Sequence, residues 1–338
     1  MDPAERRRLG ATELSVTALG LGSAPLGGMF EAVDDDTAHA VVNTGWELGL
    51  RLFDTAPLYG HGQSERRLGH VLGRHPRDEY VLATKVGRLL RDGAPPDPSQ
   101  ISPDGTYNWK DVPDVNAVYD YSRDGTLHSV EESLERLGLD RVDVLHVHDP
   151  DEHYAQALEG SYRALDELRS EGVIGAVGVG MNQAPMLSRF AREAEIDCFL
   201  VAGRYTLFDH SALDELLPLC EERGIAVIAG GVLNSGILAD PRAGAFFDYS
   251  PADAQWVERA QRLAQVCERH HTPLMAAAVQ FPLAHPVVDT VLTGARSVAE
   301  LEQTEAMMRA AIPADLWVEL QAEGLLPADA PVPVAAPR

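Results

Sequence analysis

The sequence predicts an α/β fold and, within that class, a closed (β/α)8 barrel. Two observations carry the prediction. Eight short runs rich in Val, Ile, Leu and Ala recur along the chain, each followed by a stretch with helical periodicity. The runs also lack the polar–apolar alternation of a half-exposed sheet, as strands covered by helices should. Alternating strand and helix imply a parallel sheet, and eight such units close a barrel. An open, doubly wound sheet is the competing arrangement. It would want a G-x-G-x-x-G turn after an early strand, which LGLGSAPLGG (19–28) does not cleanly supply.

Taken in order, ALGLG (18–22) precedes a helical stretch over 36–48, and LRLFD (50–54) precedes SERRLGHVL (64–72). EYVLATK (79–85) leads into a long Pro/Gly/Asp-rich segment, about 87–124, before SVEESLERLG (129–138). Connections of that length usually serve as lids or binding loops. VDVLHVH (142–148) precedes YAQALEGSYRALDELRSEG (154–172), and VIGAVGVG (173–180) precedes APMLSRFAREA (184–194). DCFLVAG (197–203) precedes SALDELLPLCEERG (211–224). IAVIAGG (225–231) precedes helices over 252–269 and 274–283, and VDTVLTG (288–294) precedes SVAELEQTEAMMRAA (297–311). No internal boundary is visible. Residues 1–326 read as one barrel domain, and the Pro/Ala-rich 327–338 as a loose tail.

At 338 residues and 45% hydrophobic content the chain can bury a large core. Its formal charge of −24 leaves no basic stripe for phosphates, which argues against nucleic acid and anionic membranes as partners. The three cysteines, Cys198, Cys220 and Cys267, are far apart and form no CxxC pair. Neither a disulfide framework nor a metal site is expected, and a reducing cytoplasm is the expected compartment. MDPAERRRLG has no apolar core of the kind a signal peptide needs, and no apolar run approaches a membrane span.

Catalytic groups of such barrels sit at the C-terminal strand ends. Four polar residues fall there: Asp54 ends the second strand, Tyr59 lies in the loop after it, Lys85 ends the third and His148 the fourth. Lys85 is one of only two lysines in the chain, the other being Lys110. Singly, each has an ordinary structural reading: a turn cap, a packed ring, a snorkelling charge, a solvent-facing imidazole. Jointly, on three neighbouring strands, they suit proton transfer at a carbonyl or alcohol. A buried Lys85 requires a partner, and Asp54 is the candidate. The cation would then lower the Tyr59 pKa, and His148 would hydrogen-bond the substrate oxygen. His146, two residues earlier, reads as a buried, hydrogen-bonded support. Trp109, Tyr121 and Ser122 in the long loop line either the substrate pocket or the surface.

With Asp54, Tyr59, Lys85 and His148 in place, the chain resembles the aldo-keto reductase superfamily over about residues 9–311. The resemblance rests on GLGSAPLGG, FDTAPLYGHGQSE, VLATKVG, VDVLHVHDP, GVIGAVGVG and TGARSVAELEQT. It is greatest to the group containing D-threo-aldose 1-dehydrogenases, L-fucose dehydrogenases and pyridoxal 4-dehydrogenase, through VYDYSRDG, AGRYTLFDHSALDELLPLCEERG and GGVLNSGIL. The resemblance implies a TIM barrel of the reductase type, a nicotinamide dinucleotide bound without a Rossmann domain, no metal, and the four residues as a catalytic tetrad. Two stretches depart from the common pattern. Ala202 stands where many members have Gln, and Gly230 and Gly231 where many have an aromatic ring. Asn182 is the candidate for holding the carboxamide.

The phosphate corner of such barrels lies after the last strands, here Thr293 to Ser297, where Gly294 admits a phosphate and a helix N-terminus favours an anion. Arg296 and Ser297 would grip the adenosine side, with Glu300 and Thr304 facing the same way. Gly22, Ser23, Gly230 and Leu233 complete the expected cofactor contacts. Glu300 would accept from a ribose 2′-hydroxyl and repel a 2′-phosphate, whereas Arg296 leans the other way; NAD is preferred over NADP. The implied reaction is oxidation of a sugar hemiacetal at C1 to a lactone, with Tyr59 as acid/base. Alternatives are an NADPH-dependent aldehyde or ketone reductase, a pyridoxal 4-dehydrogenase, and a nucleotide-binding regulatory subunit of reductase fold. A small molecule is the expected partner, and the oligomeric state stays open.

Overall fold

The structure is a computed structural model describing residues 1–102 and 105–333. Eight parallel strands close into a barrel: β1 (Leu19–Gly22), β2 (Leu52–Asp54), β3 (Val81–Val86), β4 (Val144–His148), β5 (Ala176–Met181), β6 (Cys198–Ala202), β7 (Ala226–Gly230) and β8 (Val288–Gly294). Each lies within, or one residue beyond, one of the eight apolar runs. β8 pairs with β1, and Gly294 stands opposite Gly22 where the barrel closes.

All eight strands read as apolar, yet alternate residues enter two different cores. Leu52, Ala83, Val144, Ala176, Cys198, Leu200, Ala226, Ile228 and Leu292 fill the barrel interior. Phe53, Leu82, Leu145, Val177, Phe199, Val227 and Val291 face the helices. The period of two is therefore intact, but both of its faces are buried. Asp54, Lys85, His146 and His148 follow interior residues at spacings of two, so their side chains enter the barrel at its C-terminal end. A hairpin of Arg6–Arg8 and Ser15–Thr17 closes the opposite end, inserting Leu9 and Val16 into the interior cluster.

Three barrel helices begin on side-chain caps, which satisfy amides the helix itself cannot. Asp34 accepts from Thr37 before Asp35–Glu47, Ser122 from Gly125 before Arg123–Leu137, and Ser297 from Glu300 before Val298–Arg309. The helix expected over 154–172 is interrupted by a π-helical stretch, Ala157–Tyr162. There the chain is pressed against residue 121. A Cβ at Gly160 would lie 2.2 Å from the Tyr121 carbonyl oxygen, and Ser161 donates to that same oxygen at 3.1 Å.

Two segments differ from expectation. The long connection is not wholly irregular: Arg88–Asp92 pairs antiparallel with Val115–Tyr119. The tail is not loose over its described part. Ala330 is buried, and the Gln321 amide donates to the carbonyls of Pro327, Ala328 and Ala330. Residues 334–338 of the tail lie outside the described residues. Among the described residues no helix is long and apolar enough to cross a membrane.

Candidate active site

Neighbouring strand ends bring the four residues together. Lys85 Nζ donates to Asp54 Oδ1 at 2.6 Å and to the Thr55 carbonyl at 2.8 Å, and both side chains are almost fully buried. The turn through Pro57 carries the Tyr59 ring over this pair, with Nζ 4.5 Å from the ring centroid. The His148 ring meets Tyr59 edge-on at 5.8 Å, and Trp109 stacks on Tyr59 at 5.8 Å. Trp109 thus borders the site, anchored by its indole N–H to Gln100.

The electrostatics differ from the expected ones in one respect. Tyr59 is not held low by the lysine. Its phenol is pushed well above its ordinary value, first by burial and then by the carboxylates of Asp54 and Asp149. The ammonium that should favour a phenolate is matched by Asp54 at 2.6 Å, and a compensated pair exerts little net field. Burial raises the Asp54 carboxyl as well, with Lys85 pulling against it. The His148 imidazole is held well below its usual value by burial, Arg88 and Lys85, so it is neutral at pH 7. His146 is pushed to about 3 by burial and then by Lys85. It is buried as expected, but neither ring nitrogen has a protein partner among the described residues.

Tyr121 and Ser122 do not line a pocket. Ser122 caps its helix, and Tyr121 is fully buried, its hydroxyl donating to the carbonyls of His148 (2.5 Å) and Asp149 (2.9 Å). Tyr121 therefore braces the end of β4 from behind.

The expected cofactor residues form an arc from β1 across β8 to β5, with different degrees of availability. Gly294 is open at the rim, but a Cβ there would strike Pro25 at 2.6 Å, so packing of the first loop already demands glycine. Gly22 and Gly230 end their strands, and Leu233 is half-buried just beyond. Asn182 spends its amide N–H on the Ala202 carbonyl at 2.9 Å. Ser23 is a correction: it is fully buried, and its hydroxyl donates to the Asp54 carbonyl at 2.7 Å and meets Ser64 at 2.5 Å, so it braces Asp54 and does not face the rim. Thr304 is another, because it is buried and its hydroxyl returns to the Glu300 carbonyl at 3.0 Å. Arg296 does not stand free. It bonds Glu300 at 2.8 Å and Glu31 at 2.9 Å, and its backbone N–H donates to the other Glu300 oxygen.

Two buried oxygens near this arc, Thr293 Oγ1 and Asn234 Oδ1, lack partners among the described residues. The open glycine backbone and the helix start at Ser297 suit a phosphate, and the Asn234 amide oxygen, an acceptor, suits a hydroxyl or amide donor; a dinucleotide carries both.

Sequence reasoning missed three neighbours of the tetrad. Arg88 and Asp149 form an ion pair beside His148, with the guanidinium buried and the carboxylate partly exposed. Tyr249 comes from a hairpin, Phe246–Phe247 with Ser250–Pro251, that leans over the mouth. Its phenol meets the Asn182 amide. Arg204 pins this hairpin through both oxygens of Asp248, at 2.9 and 2.7 Å, while its Nε holds the Asn182 carbonyl. Asp248 and Tyr249 both have positive φ (48° and 62°), a turn in which the second position ordinarily favours glycine. No local pattern announces any of these contacts; only the His148–Asp149 adjacency was visible beforehand.

The barrel and its strand-end cluster define an oxidoreductase of the reductase-barrel class. The aldo/keto reductase family model matches residues 18–322, and the chain belongs to that family. It is 43% identical to a pyridoxal 4-dehydrogenase of Microbacterium luteolum, over 95% of this chain and 98% of the relative. It is 42% identical to a D-threo-aldose 1-dehydrogenase of a Pseudomonas species, over 94% and 97%. An L-galactose dehydrogenase of Arabidopsis thaliana shares 31% identity over 90% and 88%. Among solved structures, the holo form of an aldo-keto reductase from Bacillus halodurans superposes with a TM-score of 0.75 at 25% identity, covering 96% of this chain and 97% of the other.

Proposed function

We propose that the protein is a nicotinamide-dependent dehydrogenase that oxidises a cyclic sugar hemiacetal at C1 to the lactone. The observation that carries the reading is the buried Lys85–Asp54 pair under the Tyr59 ring, with a neutral His148 beside it. The likeness to aldose and pyridoxal dehydrogenases at 42–43% identity supports the dehydrogenase direction.

Nicotinamide dinucleotide, when bound, supplies the hydride acceptor. Gly22, Gly230, Leu233, Gly294, Arg296, Ser297 and Asn182 are the residues that would hold it. Tyr59 takes the anomeric hydroxyl proton as C1 is oxidised and returns it in the reverse direction. Lys85 and Asp54 fix the height and charge of the ground beneath the phenol. His148 orients the same substrate oxygen by a hydrogen bond from its neutral ring. NAD is the proposed cofactor, because the Arg296 charge is already matched by Glu300 and Glu31. Pyridoxal is the second reading, favoured by the 43% identical relative; as a hemiacetal it offers the same chemistry.

The test is reduced-nicotinamide absorbance with NAD and NADP in parallel, against L-fucose, D-arabinose, L-galactose, L-rhamnose and pyridoxal. Oxidation of a sugar with NAD supports the proposal. Activity confined to NADPH-dependent reduction of simple aldehydes refutes it. Tyr59→Phe should lose roughly 10²–10⁴ in turnover while still binding nucleotide; near-normal rates would remove Tyr59 from its role.

A further inference from the structure

We infer that Asp149, clamped by Arg88, binds a hydroxyl of the substrate close to the reacting carbon and so selects a polyhydroxylated substrate. The inference rests on the dehydrogenase reading above and names what that site recognises.

Asp149 follows His148 directly. Its φ of 40° is left-handed, a conformation Asp tolerates better than most residues, and it departs from the strand there. Its backbone is fixed on both sides: the N–H donates to the Gly180 carbonyl at 3.0 Å, and its own carbonyl accepts from Tyr121 at 2.9 Å. The carboxylate is fixed as well. Oδ2 accepts from Arg88 Nη2 at 2.9 Å and lies 3.4 Å from His148 Nε2. Among the described residues no protein donor reaches Oδ1. The side chain remains 27% exposed while Arg88 is 4% exposed, so the partly exposed carboxylate stands beside the His148 ring and the guanidinium lies deeper.

Arg88 is held in turn. It lies over the Tyr119 ring, 5.1 Å from the centroid, and 3.9 Å from Asp97, whose carboxylate accepts from the Tyr119 hydroxyl. Two of its buried nitrogens, Nε and Nη1, have no hydrogen-bond partner among the described residues. A pair whose buried guanidinium is left this incompletely satisfied is weak evidence of a stabilising role, which makes a structural purpose a poor account of it. Its effect is to hold a negative, acceptor-only group rigidly beside the imidazole that orients the reacting oxygen. Such a group takes only a donor, and on a neutral substrate that donor is a hydroxyl. Sugars carry hydroxyls on the carbons next to the oxidised one; a simple aldehyde or ketone does not. A rigid carboxylate–hydroxyl bond is of the charge-assisted kind and strongly rejects an analogue lacking the hydroxyl.

The experiment compares kcat/KM for an oxidised aldose and its monodeoxy analogues, in the wild type and in Asp149→Asn. The wild type should prefer the parent sugar over one deoxy analogue by roughly 10-fold or more. In the variant that ratio should collapse towards one, through loss on the parent sugar alone. Ratios within one enzyme cancel any loss of folded protein. The variant Arg88→Met/Asp149→Leu removes the pair together and should show the same collapse if Asp149→Asn folds poorly. Equal loss on parent and deoxy sugar, with the ratio kept, overturns the inference and makes Asp149 a positioning residue for His148. A wild type that oxidises no sugar overturns the inference together with the dehydrogenase reading; a wild type that oxidises sugars without any deoxy penalty overturns the inference alone.

Discussion

Lys85→Met should expose the energetic cost of the buried Lys85–Asp54 pair. Asp54 is 2% exposed, its Oδ1 bonds Lys85 at 2.6 Å, and its Oδ2 has no partner among the described residues. Removing the lysine leaves a carboxylate in the barrel with no counter-charge, a change that costs about 3–5 kcal/mol. The penalty has a pH signature. With its cation gone and burial already raising it, the folded Asp54 pKa must rise further above the unfolded value of about 3.9. A group raised in the folded state binds its proton more tightly there, so the destabilisation is full above the folded pKa and fades as pH falls towards about 4. Asp54→Leu/Lys85→Met removes both charges and should recover to within about 1–2 kcal/mol of wild type, although inactive. Urea unfolding of the three proteins at pH 7.5 and pH 5 measures this. A single variant as stable as wild type, or a loss equal at both pH values, would refute the ion-pair reasoning.

Three further outcomes follow from the geometry. Because the Tyr59 phenol is raised by burial, Asp54 and Asp149, and the proposed mechanism has its base form carry oxidation, oxidation should accelerate between about pH 7 and 10, while reduction should not; pH–rate profiles in both directions check this, and a flat oxidation profile contradicts it. Glu300→Gln should improve kcat/KM for NADP about fivefold or more by freeing Arg296 and removing a negative charge from the adenosine side; an unchanged cofactor ratio removes Glu300 from cofactor choice. Tyr249→Gly relieves a left-handed strain of about 1–2 kcal/mol, loses about 0.5–1 kcal/mol to chain entropy and about 0.5–1.5 kcal/mol with the Asn182 bond, so its urea midpoint should stay close to that of wild type, whereas Tyr249→Val, which loses the bond and keeps the strain, should fall clearly below it.

Much of this was legible in one dimension. The eight runs are visible because parallel strands are buried on both sides, and the tetrad because barrel chemistry concentrates at strand ends. The errors share one physical origin. Ser23 and Thr304 were read as facing the cofactor, and Tyr121 as lining either the pocket or the surface, yet each hydroxyl is spent on a backbone carbonyl inside the fold. Residue type and spacing do not say which way a rim side chain turns. The Tyr59 prediction failed for a related reason: pairing Lys85 with Asp54 was foreseen, but not that so close a partner leaves the phenol facing net negative charge.

The sequence by itself determined the class of fold, the number of barrel units and the identity of the four polar strand-end residues. Periodicity, composition and strand termini are local properties, written every few residues. Only the tertiary structure decided what surrounds those four. Arg88 lies 61 positions from Asp149, and Arg204 lies 44 from Asp248. The charge of the mouth, the brace behind β4 and the hairpin over the site all depend on contacts across such separations. They form once barrel closure has brought distant loops to a common rim, and no local pattern records them.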